Sequence, residues 1–428
     1  MIDLQNDEKP EDSKRRPEQG SARSIFLRLG GFAALPLLSS LAPLLLLPII
    51  ARVGGVEGWA SVATAQAIGA FGSVMVSFGW TIAGPPRITR EKTDVERRRL
   101  YRSAFSTRVV MMFVFAPILM AVSAVLASPA HILDAVVMTG AMTLFGLSPA
   151  WYCIGLGRPR LIATFEAIPK FLATLVAAAF LLIGYPIWTY PAVLILATVL
   201  GLVAFHTTQI ESWWPWTKQG AKSVRRTLHT MMIPALVEIT GSTYAAMPVP
   251  IASATTSLLS TGMFASADKL FRYGMFSISA LANALQAWVL EGAIGISRRR
   301  HFIAIAAHAV LGLVGLAVLV VAGPWATALL FGDPVKATVD VCIWYGIAFL
   351  FLSLTTPLIR NLLIPNGKTA VILTATIISA VVGIPTMIIS GISLGSVGVA
   401  FGFALSETLI LVSILPESIR QMQRVCRA

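Results

Sequence analysis

Twelve apolar stretches, each long enough to cross a lipid bilayer, dominate this chain. A transmembrane helix needs roughly 20 apolar residues, and the lack of water in the bilayer core makes each span satisfy its own backbone hydrogen bonds. Hydrophobic residues make up 56% of the sequence and charged residues 12%, which leaves little room for a soluble catalytic domain. The sequence therefore predicts an all-α polytopic membrane protein. The predicted spans are 29–51, 58–83, 109–127, 132–153, 163–184, 188–208, 229–251, 261–290, 302–323, 339–357, 370–390 and 395–417.

The distribution of Lys and Arg predicts the orientation of these spans. Of the 33 such residues, 28 lie in the N-terminal tail, in the loops that follow even-numbered spans, and in the C-terminal tail. Eight of them lie in the loop 84–108, from Arg87 to Arg108, whereas the alternating loops hold only Arg52 and Lys336. Since cytoplasmic loops are enriched in Lys and Arg, both termini are predicted to be cytoplasmic. The dispersed charge also argues against a nucleic-acid partner, which would require a basic face.

Two halves of six spans are predicted from an internal repeat. Prolines break span one and span seven, and a proline followed by a glycine and a cation ends both span four (Ser148 to Arg158) and span ten (Thr356 to Lys368). Because six is an even number, both halves would insert in the same direction. The predicted division is a disordered basic cytoplasmic tail (1–28), an N-lobe (29–208), a cytoplasmic linker (209–228), a C-lobe (229–417) and a cytoplasmic tail (418–428).

Two motifs resemble a known family. The first runs from Leu47-Pro48 through Gly58-Trp59 to Gly84-Pro-Pro-Arg87, and the second is the Pro-x-Trp-aromatic-x-x-Gly element from Pro149 to Gly155. Together with the twelve-span layout they resemble the Wzx-type polysaccharide flippases of the multidrug/oligosaccharidyl-lipid/polysaccharide (MOP) exporter superfamily. Trp59 departs from that pattern, since the family more often has Tyr beside this glycine.

The resemblance implies a flippase rather than an enzyme, with no cofactor. Members of that family move an undecaprenyl-pyrophosphate-linked oligosaccharide across the bacterial inner membrane for exopolysaccharide or lipopolysaccharide biosynthesis. They work by alternating access between two lobes, coupled to an ion gradient. The implied partners are the lipid-linked substrate and membrane lipids, and contact with polysaccharide polymerase or export machinery is left open.

Ionisable residues inside the predicted spans are the candidate site, because such residues are costly in a bilayer and normally face a cavity or a partner. Lys170, Lys269 and Arg272 are predicted to contact the pyrophosphate, since Arg binds phosphate as a fork and Lys as a point charge. Arg52, near the predicted periplasmic exit, is a further candidate. The alternative is structural: Glu166 with Lys170, and Asp268 with Lys269 or Arg272, would form self-neutralised pairs.

Four carboxylates are candidates for ion coupling: Glu166, Glu238, Asp268 and Glu407. Glu238 and Glu407 have apolar flanks, so each could also be a hydrogen-bonded carboxyl between helices. No cysteine or histidine spacing indicates a metal site. His206 and His308 lie near predicted span ends and are expected at the membrane interface. The same is expected of most of the aromatic residues Trp151, Tyr152, Trp188, Tyr190, Trp213, Trp214 and Trp216.

Two other functions compete with the flippase. A multidrug antiporter of the same superfamily would carry cationic drugs and would need acidic cavity walls, whereas span eight holds two cations beside one acid. A membrane-embedded polysaccharide polymerase or ligase would need catalytic groups in a large periplasmic loop, and the predicted periplasmic loops are short. The loop between spans two and three lacks the major-facilitator signature, and twelve spans are two fewer than in the peptidoglycan-precursor flippases.

Overall fold

The computed structural model describes residues 22–216, 220–290 and 294–427, and the side chains of 46–216, 224–286, 288–290 and 298–423. Most of the tail predicted over 1–28 and part of the predicted linker therefore lie outside the described residues. The described chain is helical and contains no strand. Its α-helices are α1 (Ala22–Ser77), α2 (Trp80–Arg90), α3 (Asp94–Leu126), α4 (Ile132–Leu144), α5 (Ala150–Gly155), α6 (Pro159–Ile162), α7 (Ile168–Leu182), α8 (Thr189–Phe205), α9 (Gly220–Ala246), α10 (Pro248–Thr255), α11 (Leu258–Leu290), α12 (Ile294–Phe331), α13 (Val339–Pro357), α14 (Thr369–Leu394) and α15 (Ser396–Arg427).

Every predicted span overlaps a helix, which confirms the all-α polytopic class. Spans one and two are the two arms of α1, which is kinked at Gly55 in a positive-φ conformation. Nine helical segments within the described ranges are long and apolar enough to cross a membrane. Helices α9 and α11 fall outside that set because their sequences are more polar, and both line the cavity described below.

The prediction of a loop over residues 84–108 is wrong. Helix α2 extends to Arg90, and α3 begins at Asp94 behind a capping box formed by Thr93 and Glu96. Because Lys and Arg favour helices, the basic residues continue the helices beyond the bilayer rather than form a loop. At 1.5 Å per residue, the 33 residues of α3 are roughly 50 Å long against a core of about 30 Å.

The internal repeat has matching backbone geometry in the two halves. Gly157, after span four, has φ +64°, and Gly367, after span ten, has φ +69°. At Gly157 the helix ends with the bonds Gly157 N–H to Ile154 O and Arg158 N–H to Cys153 O. The residues around Gly367 repeat this pattern, with Gly367 N–H bonded to Ile364 O and Lys368 N–H to Leu363 O. Both are Schellman motifs, whose left-handed position favours glycine.

Close helix packing positions the second arm of α1. That arm packs on α4, where a Cβ at Gly69 would lie 2.7 Å from the Thr139 carbonyl oxygen. Helices α1 and α2 also contact α9, and α1 contacts α11, so these elements form the boundary between the N-terminal half (α1–α8) and the C-terminal half (α9–α15). The outer faces of α3, α12 and α14 expose large apolar side chains such as Phe113, Val321 and Ile389, as lipid contact requires.

Candidate functional site

A cavity of about 590 Å³ lies between the two halves. The second arm of α1, with α4 and α8, forms the wall from the N-terminal half, and α9 with α11 forms the opposite wall. This volume is in the range of small-molecule sites, roughly 300–1,000 Å³. The residues that carry polar or charged groups into its lining are Gln66, Tyr190, Ser242, Asp268, Lys269, Arg272 and Tyr273.

Asp268 and Arg272 form an ion pair in the cavity wall. Arg272 Nε donates to Asp268 Oδ2 over 2.7 Å, and Tyr345 donates its hydroxyl to Asp268 Oδ1 over 3.2 Å. Arg272 Nη2 also donates to the carbonyl oxygen of Ala245, at the C-terminal end of α9. The structure thus gives Arg272 the self-neutralised partner foreseen as one alternative, while about a third of its side chain stays exposed, at 34%.

Lys269 is a cavity cation without an ion-pair partner in the part of the chain that the structure describes. Within the described part of the chain its ammonium group makes neither a hydrogen bond nor an ion pair, and the residue lines the cavity. Adjacent residues on a helix do not face each other, so Asp268 pairs with Arg272 four positions on rather than with Lys269. With Asp268 balanced by Arg272, the charge of Lys269 leaves the lining of the cavity positive.

Lys170 lies beside the cavity rather than in its lining. Its Nζ donates to Glu166 Oε1 over 2.7 Å and lies 3.6 Å from the centre of the Phe145 ring. Glu166 accepts a second bond from the Ser148 hydroxyl at 2.6 Å. Both residues of the pair line a separate small pocket, and Phe145 lies between that pocket and the cavity. The pairing of Glu166 with Lys170 is the intrahelical arrangement that the sequence left open.

Glu238 joins the two halves at the predicted cytoplasmic end. Its Oε2 accepts a hydrogen bond of 2.8 Å from the backbone N–H of Gly79, the residue that caps α2. Gly79 has φ +81°, and a Cβ there would lie 2.6 Å from the backbone nitrogen of Ala235. Glycine is needed at this position for both the backbone conformation and the close approach of α9.

Glu407 is buried in the C-terminal half on α15, away from the cavity lining. Its side chain is 3% exposed and interacts with Tyr244 of α9. Among the described residues, its Oε2 has no hydrogen-bond partner. A buried carboxyl with an unused oxygen can hold a proton or a small cation, as the ion-coupling prediction for Glu407 requires.

The predicted periplasmic end is closed by contacts around Trp59. Its indole N–H donates to Gly262 O and Ser266 Oγ of α11, each at 3.1 Å, and its ring stacks on Phe331. Arg52 is exposed at the same end and donates to the carbonyl oxygen of Leu329 on α12, outside the lining of the cavity. Trp59, the residue that departs from the Wzx-type pattern, thus forms a contact between the two halves.

Several residues expected at the membrane interface are buried instead. Trp151, Tyr152 and His206 are 3%, 4% and 1% exposed, and they cluster around Tyr101, whose hydroxyl lies 2.9 Å from His206 Nε2. Tyr190 is also buried and lines the cavity. The expectation fails for these residues, and for His308, which is also buried, because their side chains pack inside the bundle rather than at its surface. Trp213, Trp214 and Trp216 are exposed, as expected for interfacial residues.

Arg108, counted as a loop cation in the sequence, is 1% exposed inside α3. Its Nη1 donates to the carbonyl oxygens of Gly146 and Ser148, where the helices of span four are broken. A cation at these free carbonyl groups is favoured by the helix dipole. Sequence reasoning also missed Gln66, whose location on the cavity face of α1 follows from helix packing.

The helical bundle, with nine apolar segments of membrane-spanning length in the described ranges, is that of a multi-pass membrane protein. The fold is similar to that of the lipid II flippase MurJ in an inward closed conformation, with a TM-score of 0.64 and 12% identity over 92% of this chain and 89% of that one. An inward-facing multidrug resistance MATE family transporter of the MOP superfamily gives 0.56 and 12% over 95% and 96%. A variant of the Vibrio cholerae MATE transporter VcmN gives 0.53 and 15% over 96% and 98%.

Neither a protein-family model nor a curated protein matches the sequence. The structural comparisons alone show that this chain has a fold similar to those of the MurJ flippase and the MATE transporters.

Proposed function

We propose that this protein is a flippase that moves an undecaprenyl-pyrophosphate-linked oligosaccharide across the bacterial inner membrane for surface polysaccharide biosynthesis. The observation that carries the proposal is the ammonium group of Lys269, which lines a cavity between the two halves and forms no ion pair with any residue that the structure describes. A pyrophosphate has concentrated negative charge, and its attraction to a cation is stronger in such a cavity than in water. Arg272 adds the part of its guanidinium group that Asp268 and Ala245 leave free.

The shared fold is compatible with a lipid-linked substrate. One of the similar proteins is named a lipid II flippase, so this architecture can serve such a cargo. In the proposed mechanism the N-lobe and C-lobe alternate between inward-open and outward-open states. The contacts of Trp59 and of Glu238 would break in turn, because they join the halves at opposite ends.

Ion coupling is proposed to involve the carboxyl groups that change partners as the lobes move. Glu238 bonds across the boundary between the halves, and Glu407 has an unused buried oxygen. Glu166 and Asp268 already have cationic partners in this conformation, so they would take part only when those pairs open. Lys170 would contact the substrate only in a conformation that joins its pocket to the cavity.

A multidrug antiporter is the competing function, since the fold is equally shared with MATE transporters. Charge favours the flippase over that alternative. The charged residues that line the cavity are Asp268, Lys269 and Arg272, so a cationic drug would meet a net positive wall.

The test is deletion of the gene in the source bacterium, followed by assay of surface polysaccharide and of radiolabelled lipid-linked oligosaccharide. Loss of polymer with accumulation of the lipid-linked unit in the cytoplasmic leaflet is the expected result. Complementation should succeed with wild type and Lys269→Arg and fail with Lys269→Ala. A charge-assisted hydrogen bond contributes about 1.5–3 kcal/mol, so Lys269→Ala should weaken binding of the pyrophosphate about 10- to 150-fold.

Lys336→Ala is the matched control, because Lys336 is an exposed lysine in a loop after α12. It should complement fully. Unchanged polymer and lipid-linked pools in the deletion strain, combined with increased sensitivity to cationic drugs, would refute the flippase and support the antiporter.

A further inference from the structure

Two polar side chains in the cavity wall have atoms that are buried and unpaired. Gln66 on α1 is 6% exposed, and its Oε1 has no hydrogen-bond partner among the residues that the structure describes. The hydroxyl group of Tyr273 on α11 is likewise buried without a partner in that part of the chain. Both residues line the cavity, from opposite halves of the molecule.

Such groups indicate a ligand. Leaving a buried donor or acceptor unsatisfied costs about 1–3 kcal/mol, and most buried polar side-chain atoms in proteins are hydrogen-bonded. A well-packed wall with no polar ligand to bind would favour apolar residues at these positions. Instead, the amide of Gln66 and the hydroxyl of Tyr273 stand beside apolar lining residues such as Phe71 and Phe276.

The chemistry of the two groups identifies the class of ligand. An amide has both a donor and an acceptor, and a tyrosine hydroxyl can act as either. The unpaired Gln66 oxygen can only accept, so a phosphate oxygen could satisfy Tyr273 but not Gln66. An ammonium group could donate to both atoms, but the positive charge of Lys269 in the same cavity would repel it. Sugar hydroxyl groups are neutral and can donate to Gln66 Oε1 while accepting from Tyr273.

The position relative to Lys269 is what connects this pair to a single substrate. Tyr273 follows Lys269 by four residues on α11, and residues at this spacing lie on one helix face with Cβ atoms about 5–6 Å apart. In a polyprenyl pyrophosphate-linked glycan, the first sugar is bonded directly to the pyrophosphate. A phosphate at Lys269 therefore places that sugar within reach of Tyr273.

We propose that Gln66 and Tyr273 bind the sugar attached directly to the pyrophosphate and so distinguish glycosylated from unglycosylated carrier lipid. This inference rests on the proposed flippase function. It divides the cavity into an anion subsite at Lys269 and a neutral, hydroxyl-binding subsite one helical turn away. Since Gln66 and Tyr273 come from different halves, the sugar would also bridge the two walls of the cavity.

The test measures binding to the purified full-length protein in nanodiscs. The probes are polyprenyl pyrophosphate alone and the same lipid bearing one hexose or one N-acetylhexosamine. Wild type should bind a glycosylated probe more tightly than the bare lipid. Gln66→Leu and Tyr273→Phe should each weaken binding of that probe at least about fivefold, with no change for the bare lipid. Lys269→Ala should weaken binding of all the probes.

Thermal unfolding of each variant checks that it is folded. If Gln66→Leu proves unstable, Tyr273→Phe still tests the subsite, because it removes only the hydroxyl group and keeps the aromatic ring. If wild type binds all the probes equally, or if both variants leave the preference for the sugar intact, the sugar subsite is refuted while the flippase proposal stands. If wild type binds none of the probes, the proposed function itself fails, and the sugar subsite fails with it.

Discussion

Removal of the Glu238 carboxyl should open the predicted cytoplasmic end. Glu238 lies on α9 in the C-terminal half. Its hydrogen-bond donor is the backbone N–H of Gly79, which is the N-cap residue of α2 in the N-terminal half. A carboxylate at a helix N-terminus is stabilised by the helix dipole and by the unpaired backbone N–H groups there. Glu238 thus caps a helix that belongs to the opposite half of the molecule.

The magnitude follows from the cost of losing a cap. Replacing an N-cap side chain by Ala costs about 0.5–2 kcal/mol, and each 1.4 kcal/mol is a factor of ten in an equilibrium constant. If the contact exists only in the closed state, Glu238→Ala should shift the equilibrium toward the open state roughly twofold to thirtyfold. Glu238→Gln keeps an acceptor oxygen and loses only the charge, so its shift should be smaller, about 0.3–1 kcal/mol.

The assay is the rate at which a membrane-impermeant thiol reagent, added on the predicted cytoplasmic side, modifies Ser242→Cys. Ser242 lines the cavity. The native thiols of Cys153 and Cys342 are buried. Cys426 is replaced by Ser so that its thiol does not react with the reagent and add to the signal. The modification rate should rise in the order wild type, Glu238→Gln, Glu238→Ala.

Asp94→Ala is the control, because Asp94 is an acid at the same predicted end whose ion pair with Arg97 lies within α3. It should leave the rate unchanged. Equal rates for wild type and Glu238→Ala would show that the contact with Gly79 does not hold the closed state, and the reasoning above would be refuted.

Two further substitutions test the predicted periplasmic end and the packing of the C-terminal half. Trp59→Phe keeps an aromatic ring but loses the hydrogen bonds to Gly262 and Ser266, a loss of roughly 1 kcal/mol. The rate at which the reagent modifies the cavity cysteine from the predicted periplasmic side should therefore rise about fivefold. An unchanged rate would contradict this. Gly383→Ala would place a Cβ against the Ser406 hydroxyl and should lower the thermal unfolding temperature, since overpacking costs about 1–3 kcal/mol. Gly241→Ala is its control: apart from its own helix, no part of the described chain lies within 4 Å of the added Cβ, so stability should rise by about 0.5–1 kcal/mol.

The location of most spans could be predicted because apolar length indicates them, and each predicted span overlaps a helix. The predicted number, twelve, stays a prediction, since nine segments of the described residues meet the criteria of length and hydropathy. The ends of the spans could not be predicted, since nothing in hydropathy distinguishes a basic loop from a helix that continues into water. Arg97 illustrates the point: it lies in the first turn of α3, where the sequence suggested a loop. The same error removed Arg108 from the list of intramembrane charges.

Partner choice was predictable only where it is local. The pairs Glu166–Lys170 and Asp268–Arg272 both have the spacing of four residues that faces two side chains on a helix. Arg108 instead bonds to carbonyl groups about 40 residues away, and Glu238 bonds to a backbone N–H 159 residues away. No pattern in a single sequence predicts hydrogen bonds between residues so far apart along the chain, because these bonds depend on how the helices pack.

The contacts of α9 place the candidate site and the cytoplasmic contact on one rigid element. Arg272 donates to Ala245 near the C-terminal end of α9, and Glu238 caps α2 from two turns earlier on the same helix. An anion drawn to the cavity competes with the Ala245 carbonyl oxygen for the guanidinium group of Arg272. Any ligand that binds the open state more tightly shifts the equilibrium by its differential affinity, and the shift is reciprocal. Release of α9 at Arg272 would therefore favour loss of the Glu238 contact, and loss of that contact would equally favour anion binding.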